Sequence, residues 1–483
     1  MNDIDFAAEV LAALPYNANE QQVAVVAALA RFCCKDDAAE SAFILNGYAG
    51  TGKTSLTGAL VKTLRAHKRQ VVLLAPTGRA AKVFSANSGG ITASTIHRKI
   101  YRHNPDATPG VYTPPLPADN RLMNAVFIVD EASMIGTADE RGTDLLDDLI
   151  TYVYAGIGCR LILIGDTAQL PPVGSDRSPA MKADVLRRLG LKVTQATLTE
   201  TARQAADSGI LFNATRLRKI MVLAAKAEPG KAPVPKLRTA GFDDVKIVDP
   251  TDLPEIISDA YSASPDGEAG SILITRSNKR AAEYNAAIRA AVLYREEEIS
   301  RGDMLIVSRN HYFRKKVKTL DFVANGDILT VSRVYGTEVR YGLRFADVEL
   351  EISSPENPSE TINFDIKILL DTLADPSAGL SQEDWNKLYY GIMADDERYG
   401  ATDLTARAHG IMRDPYWTAL HVKYAYAVTC HKAQGGQWEN VFVDLSYIPD
   451  DALGLTLYRW LYTAVTRATK RLYLIAPPEA IIK

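Results

Sequence analysis

One octapeptide, Gly47-Tyr-Ala-Gly-Thr-Gly-Lys53-Thr54, sets the tightest limit on what this chain can fold into. It matches G-x4-G-K-[ST], follows the apolar run Ala42 to Leu45 and opens a stretch of helical pattern. A loop held between a strand and a helix turns its backbone N–H groups toward phosphate oxygens, and the helix N-terminus adds partial positive charge. Gly47, Gly50 and Gly52 allow the close approach, and Ala49, Thr51 and Ser55 complete the cradle. Lys53 would reach the β- and γ-phosphates and Thr54 would ligate Mg²⁺, so ATP and Mg²⁺ are the expected ligands.

The surroundings fit such a loop. An amphipathic stretch from Glu20 to Phe32 precedes the first apolar run. Further apolar runs are Val71 to Ala75, Ala125 to Val129 and Leu161 to Ile164, with helical patterns between them. Short, nearly continuous apolar strands alternating with helices predict a parallel sheet covered on both faces. A second α/β pattern starts near Val245, with strands expected at Ser271 to Thr275, Tyr424 to Val428, Val441 to Leu445 and Leu472 to Ile475. Two segments interrupt these patterns. Residues 98–124 are rich in Pro, Asn and Asp and read as an inserted hairpin. The region from Val331 to Trp417 alternates in β fashion and then becomes polar and helical, which reads as a second, β-rich insertion.

Two more strand ends carry chemistry. Val129-Asp130-Glu131 offers one carboxylate for the metal and one to polarise the attacking water. Gly165-Asp-Thr-Ala-Gln169-Leu-Pro-Pro172 places an amide, Gln169, where it could sense a γ-phosphate. Strand ends of a doubly wound sheet converge on one crevice.

Composition narrows the class. The 483 residues are 47% hydrophobic and 23% charged, a globular balance sufficient for several cores. A net charge of −3 argues mildly against a dedicated nucleic-acid binder. Yet Arg79 to Pro105 carries Arg79, Lys82, Arg98, Lys99 and Arg102 without one acid, a local stripe able to follow phosphates. Tyr312-Phe-Arg-Lys-Lys316 is a second basic run, open to reading as a solvated hairpin. Asp347 to Asp375 holds eight acids against Lys367 alone, so that face should avoid phosphate. Cys33, Cys34, Cys159 and Cys430 fit no zinc spacing and read as reduced thiols. The N-terminal residues do not read as a signal peptide and no run suits a membrane helix, so a cytoplasmic chain is expected.

The motifs GYAGTGKT, APTGRAAK, STIH, VDEASM, GDTAQLPPVG, LTETARQ, YAVTCHKAQGGQW and YTAVTRA occur in that order. In this the chain resembles superfamily 1 helicases of the 5′-to-3′ class, RecD-like and Dda-type phage enzymes. The resemblance implies two RecA-like P-loop NTPase lobes, parallel sheets flanked by helices, with a β-hairpin pin insertion in the first and a small β-barrel insertion in the second. The lobes would comprise 1–97 and 125–235, then 236–330 and 417–483, with insertions at 98–124 and 331–416. It implies an ATP-dependent helicase that moves 5′ to 3′ on single-stranded DNA and opens fork DNA, in replication, recombination or repair. Single-strand-binding or replisome proteins are candidate partners of a monomer, with no membrane involved.

Site roles follow from the resemblance. Gln21 or its neighbour Gln22 would read adenine. Lys53, Thr54, Asp130 and Glu131 would hold phosphate, metal and water, and Gln169 would couple the γ-phosphate to the track. Arg203 and Arg467 would be arginine fingers, two guanidinium groups that stabilise transition-state charge from outside the loop. Thr77, Gly78, Arg79 and His97, with Thr429, His431 and Lys432, would contact the strand; a core histidine is the other reading of His431. Tyr112, or alternatively Tyr101, would stack at the pin. Gln437 stands where the family commonly carries an acid, and an amide cannot coordinate as a carboxylate does. A translocase or motor subunit without independent unwinding, and a binder with a degenerate ATP site, are the competing readings.

Overall fold

The computed structural model describes residues 2–34, 40–102, 116–136, 144–200, 207–228, 232–318, 320–354, 360–376, 379–395, 410–448 and 453–482. The chain divides into two compact units, one of residues 1–102, 116–248 and 433–483, the other of residues 249–432.

In the first unit the strands are β1 (Ser41–Gly47), β2 (Val71–Ala75), β3 (Ser94–Thr95), β4 (Tyr101–Arg102), β5 (Leu116–Pro117), β6 (Val126–Val129), β7 (Arg160–Gly165), β8 (Lys192–Leu198) and β9 (Val245–Val248). Six of them form a sheet in the order β3-β2-β6-β7-β1-β8. Every pairing in it is parallel. Its apolar runs are continuous because both faces are covered. Phe43 and Leu45 point into one core with Leu73, Ile128 and Ile162. Ala42 and Ile44 point into the other with Phe127, Val129 and Leu161. Successive strand side chains alternate faces, so a strand buried on both sides is apolar along most of its length.

Helices Asp3–Ala12, Glu20–Cys34 and Lys53–Ala66 supply the first core. The first of these was not expected from sequence; Phe6 and Val10, four residues apart, bury its one apolar edge, and Asn2 caps it at Ile4. Helix Leu145–Ala155, capped by Asp144, covers the other face. The antiparallel pair β4–β5 is the base of the expected hairpin insertion. The rest of that insertion, including Tyr112, lies outside the described residues.

The second set of parallel strands begins with β9 and continues with β10 (Ser271–Thr275), β18 (Ala427–Thr429), β19 (Trp438–Asp444) and β20 (Ala468–Ile475). In the first unit β20 pairs in parallel with β19 and β9. In the second unit β10 pairs in parallel with β18, beneath helix Asn278–Ala291. The remaining strands of that unit are β11 (Met304–Val307), β12 (His311–Val317), β13 (Leu320–Val323), β14 (Ile328–Arg340), β15 (Leu343–Ser353), β16 (Thr361–Leu369) and β17 (Leu420–Tyr424). Strands β11-β14-β15-β16-β17 close into a barrel, and β12 and β13 form a separate hairpin.

The barrel thus draws on residues outside 331–416. Met304–Val307 is four apolar residues, all buried, and such a run does not distinguish a barrel strand from one in a parallel sheet. Similarly, the expected strand Tyr424 to Val428 is two strands: β17 ends at Tyr424 in the barrel, and β18 begins at Ala427. Among the described residues no helix is long and apolar enough to cross a membrane.

Candidate functional site

Strand β1 delivers Gly47 to the phosphate loop, and Lys53 is the first residue of the helix that leaves it. Gly50 and Gly52 have φ of +75° and +83°, in the left-handed region that favours glycine. A Cβ on Gly52 would also lie 2.3 Å from the Tyr16 hydroxyl oxygen. Thr51 is fully buried, and its hydroxyl donates to the Tyr48 carbonyl at 2.8 Å. The Lys53 ammonium donates to the carbonyls of Gly47 and Tyr48 at 2.5 and 2.9 Å. Ala49 and Ser55 flank this turn half-buried, and Thr54 is exposed at its mouth.

The two glutamines of the N-terminal motif divide in role. Gln22 is buried, and its amide nitrogen donates to the Thr51 carbonyl and the Tyr16 hydroxyl. That amide braces the loop from behind. Gln21 is half-buried, and its carbonyl oxygen accepts from the N–H groups of Thr199 and Glu200 at 2.9 and 3.2 Å. Of the two, Gln21 is the more accessible to a base.

Asp130 and Glu131 follow β6. Burial, and then the neighbouring Glu131 charge, push the Asp130 carboxyl well above the usual carboxylate range. Its Oδ1 accepts from the Glu131 N–H at 2.9 Å. Glu131 itself sits at φ +51°, uncommon for a residue with a side chain and of a kind that clusters at functional sites. The Arg467 guanidinium lies 3.8 Å from the Glu131 carboxylate. Arg467 is buried and held by the carbonyls of Thr463 and Gly436, each at 3.1 Å. The other expected arginine, Arg203, lies outside the described residues.

Gln169 is 5% exposed, and its Oε1 is buried with no hydrogen-bond partner among the described residues. An unsatisfied buried acceptor is uncommon enough to need a reason, and an incoming hydrogen-bond donor would supply one. The glycine cradle, Lys53, the Asp130–Glu131 pair and this orphaned amide together fit a nucleotide triphosphate with its metal.

Of the expected strand contacts, Thr77 caps helix Gly78–Ala86 by accepting from the Ala80 N–H, which puts Gly78 in its first turn. The Arg79 guanidinium lies 3.8 Å over the Trp438 ring, and its Nη2 donates to the backbone carbonyl of exposed Gln437 at 3.4 Å. A Cβ on Gly435 would lie 2.7 Å from that of Ala80, which explains a glycine there. His97 is half-buried, its ring 5.7 Å from Tyr101, and burial lowers its pKa. Tyr101 is 9% exposed with its hydroxyl on Asp148, a core position at the hairpin base that does not suit stacking at a tip. In the second unit Thr429 ends β18, and His431 and Lys432 follow in the short helix Cys430–Ala433. His431 is exposed, which is not how a core histidine sits. Burial, and then the Lys423 charge, bring the Lys432 ammonium down to about 8. The rings of Tyr312 and Phe313 are packed on Phe322 and Phe364, so they build the hairpin and barrel.

Sequence reasoning missed three groups. Asn46 accepts from the Thr167 N–H at 3.1 Å, tying the loop strand to the third motif. Arg218 stacks 4.3 Å over the Tyr48 ring. Tyr462 bonds both the phosphate loop and Asp166. Asn46 and Arg218 had no local signal beyond residue type, and Tyr462 stood in the YTAVTRA motif without an assigned role, because each partner is far away in sequence.

Comparison with known proteins adds the following. Residues 17–227 match the AAA domain family, and residues 424–475 match the UvrD-like helicase C-terminal domain. The ATP-dependent RecD2 DNA helicase of Deinococcus radiodurans is 34% identical over 174 residues, 35% of this chain and 20% of that protein. The ATP-dependent DNA helicase Pif1 of a Psychrobacter species is 23% identical over 444 residues, 83% of this chain and 61% of that protein. The chain therefore spans less than two thirds of either relative. A solved Pif1 helicase from Bacteroides, in complex with ADP-AlF3 and ssDNA, is 15% identical with a TM-score of 0.44, covering 96% of this chain and 94% of that one.

Proposed function

We propose that this chain, a Pif1/RecD2-like member of superfamily 1, is an ATP-dependent DNA helicase that moves 5′ to 3′ along single-stranded DNA and opens forked duplex. The observation that carries the reading is the cluster of Lys53, Asp130, Glu131 and Arg467 at one glycine loop, to which Gln169 adds a buried acceptor without a partner among the described residues. The direction rests on the order of motifs, the DNA partner on the named relatives.

The phosphate loop and Lys53 bind the triphosphate; Gln21 meets the base. Thr54 and Asp130 would hold Mg²⁺, which when bound neutralises charge on the β- and γ-phosphates. Glu131 orients the attacking water and accepts its proton. Arg467, now held near Glu131, has the charge and reach to stabilise the transferring group, as Arg203 would from the LTETARQ segment. Gln169 exchanges its empty acceptor site for a donor in the reacting complex. Thr77, Gly78, Arg79, His97, Thr429, His431 and Lys432 grip the strand, and nucleotide-dependent changes in that grip produce steps. Tyr112 remains the proposed pin residue.

Paired forked substrates test this directly. One carries only a 5′ single-stranded tail, the other only a 3′ tail. Unwinding of the 5′-tailed fork alone, dependent on ATP, is expected. Strand-stimulated hydrolysis without opening of either fork would leave a translocase and refute the helicase.

A further inference from the structure

Tyr462 is fully buried, yet its phenol sits between two functional segments. It donates to Asp166 Oδ2 at 2.6 Å and accepts the Ala49 N–H at 2.8 Å. Ala49 belongs to the phosphate loop, and Asp166, 1% exposed, opens the turn that carries Gln169. That turn is built on Asp166: its Oδ1 accepts from the Ala168 N–H at 2.9 Å, and its carbonyl accepts from the Gln169 N–H at 3.2 Å. One residue further, Thr463 Oγ1 accepts from the Leu170 N–H at 2.8 Å. The same helix, Leu455–Val465, leads into Arg467, whose Nε donates to the Thr463 carbonyl.

We propose that Tyr462 is a positioning residue that senses the γ-phosphate, which only the triphosphate carries, at Ala49 and relays its arrival through Asp166 to Gln169. The inference rests on the ATP site proposed above. A backbone N–H has one proton to donate. An anionic phosphate oxygen is a stronger acceptor than a phenol oxygen, so phosphate at this amide competes with Tyr462 for it. The two bonds of the phenol are coupled, because a hydroxyl that donates to a carboxylate becomes a better acceptor. Losing the Ala49 bond therefore weakens the Asp166 bond, and Asp166 sets the turn that aims Gln169. The tie from Thr463 to Leu170 keeps the helix attached while this happens.

The test uses the full chain and Tyr462→Phe, which keeps the ring and removes the hydroxyl. Equilibrium binding of fluorescent ADP and of a non-hydrolysable triphosphate analogue is measured, together with ATP hydrolysis with and without single-stranded DNA. Without the competing phenol, the preference for triphosphate over diphosphate rises about threefold to tenfold, the size of one exchanged hydrogen bond. Stimulation of hydrolysis by the strand falls about tenfold, because Gln169 no longer follows the phosphate. An unchanged preference overturns the relay, whether or not the thermal midpoint drops, since a purely structural phenol would shift both nucleotides alike. Asp166→Asn cuts the relay at its other end and is read the same way should Y462F fail to fold. If the parent chain neither binds triphosphate nor hydrolyses it, the ATP site falls and the relay with it. If the parent does both and the variants match it, only the relay falls.

Discussion

The surroundings of the phosphate loop and the barrel of the second unit treat polar groups in opposite ways. Around the loop, groups are held close together and incompletely satisfied. Gln169 Oε1 has no partner among the described residues, Asp130 is pushed toward its neutral form, and Glu131 adopts a left-handed backbone. In the barrel, charge is matched. Lys367 bridges Glu338 and Asp347 at 2.6 and 2.9 Å. Arg344 bridges Glu298 and Asp371, and Arg340 meets Asp395. The acid-rich stretch around Lys367 is thus partly neutralised within its own fold. The contrast separates a site, which keeps bonding capacity for a ligand, from a scaffold, which does not.

Three substitutions at the site sharpen or break this contrast most. Arg467→Lys should lower kcat for ATP about a thousandfold, since a point charge does not replace a planar fork. A turnover within tenfold of the parent in a steady-state assay removes Arg467 from the transition state. Lys53→Ala should lower strand-stimulated hydrolysis at least about a hundredfold, checked with the same assay and with nucleotide binding. Gln169→Ala should leave the KM for ATP nearly unchanged while strand stimulation falls about tenfold. An equal loss with and without strand would mean that Gln169 does not couple the two.

The smaller effects come from the second unit. With its ammonium near 8, Lys432 is charged at pH 7 and neutral well above pH 8. A phosphate contact needs the charged form, so affinity for single-stranded DNA should fall about threefold to tenfold from pH 7 to pH 9, by fluorescence anisotropy at fixed salt. Lys432→Gln should flatten that part of the profile. Lys367→Met should lower stability by about 1–2 kcal/mol in chemical denaturation, because it leaves Glu338 and Asp347 without their shared cation. The KM for ATP should not move. If it does, the scaffold is not separate from the site.

The two regions also differ in how legible they were. The phosphate loop, the Asp130–Glu131 strand end and the strands of the first sheet were all evident locally. Each is a short run whose backbone and chemistry depend on neighbours a few residues away. The barrel was legible as β-rich sequence, but its edges were not. Met304–Val307 and Leu420–Tyr424 join it by pairing with strands that are remote in sequence. Tyr101 looked like a candidate for stacking, and only its burial against Asp148 assigns it to the core.

By itself, the sequence determined that this chain folds around a phosphate-binding loop, with acids and an amide at neighbouring strand ends. Spacing alone does that, because a strand–loop–helix unit fixes where its few polar residues emerge. Tertiary structure decided which of Gln21 and Gln22 braces the loop. It also decided that Arg467 lies beside Glu131 and that Tyr462 bridges Ala49 and Asp166. The Ala49–Tyr462 bond joins residues 413 positions apart. No local pattern encodes such a pair, since it is the packing of distant elements that brings its two atoms within bonding distance.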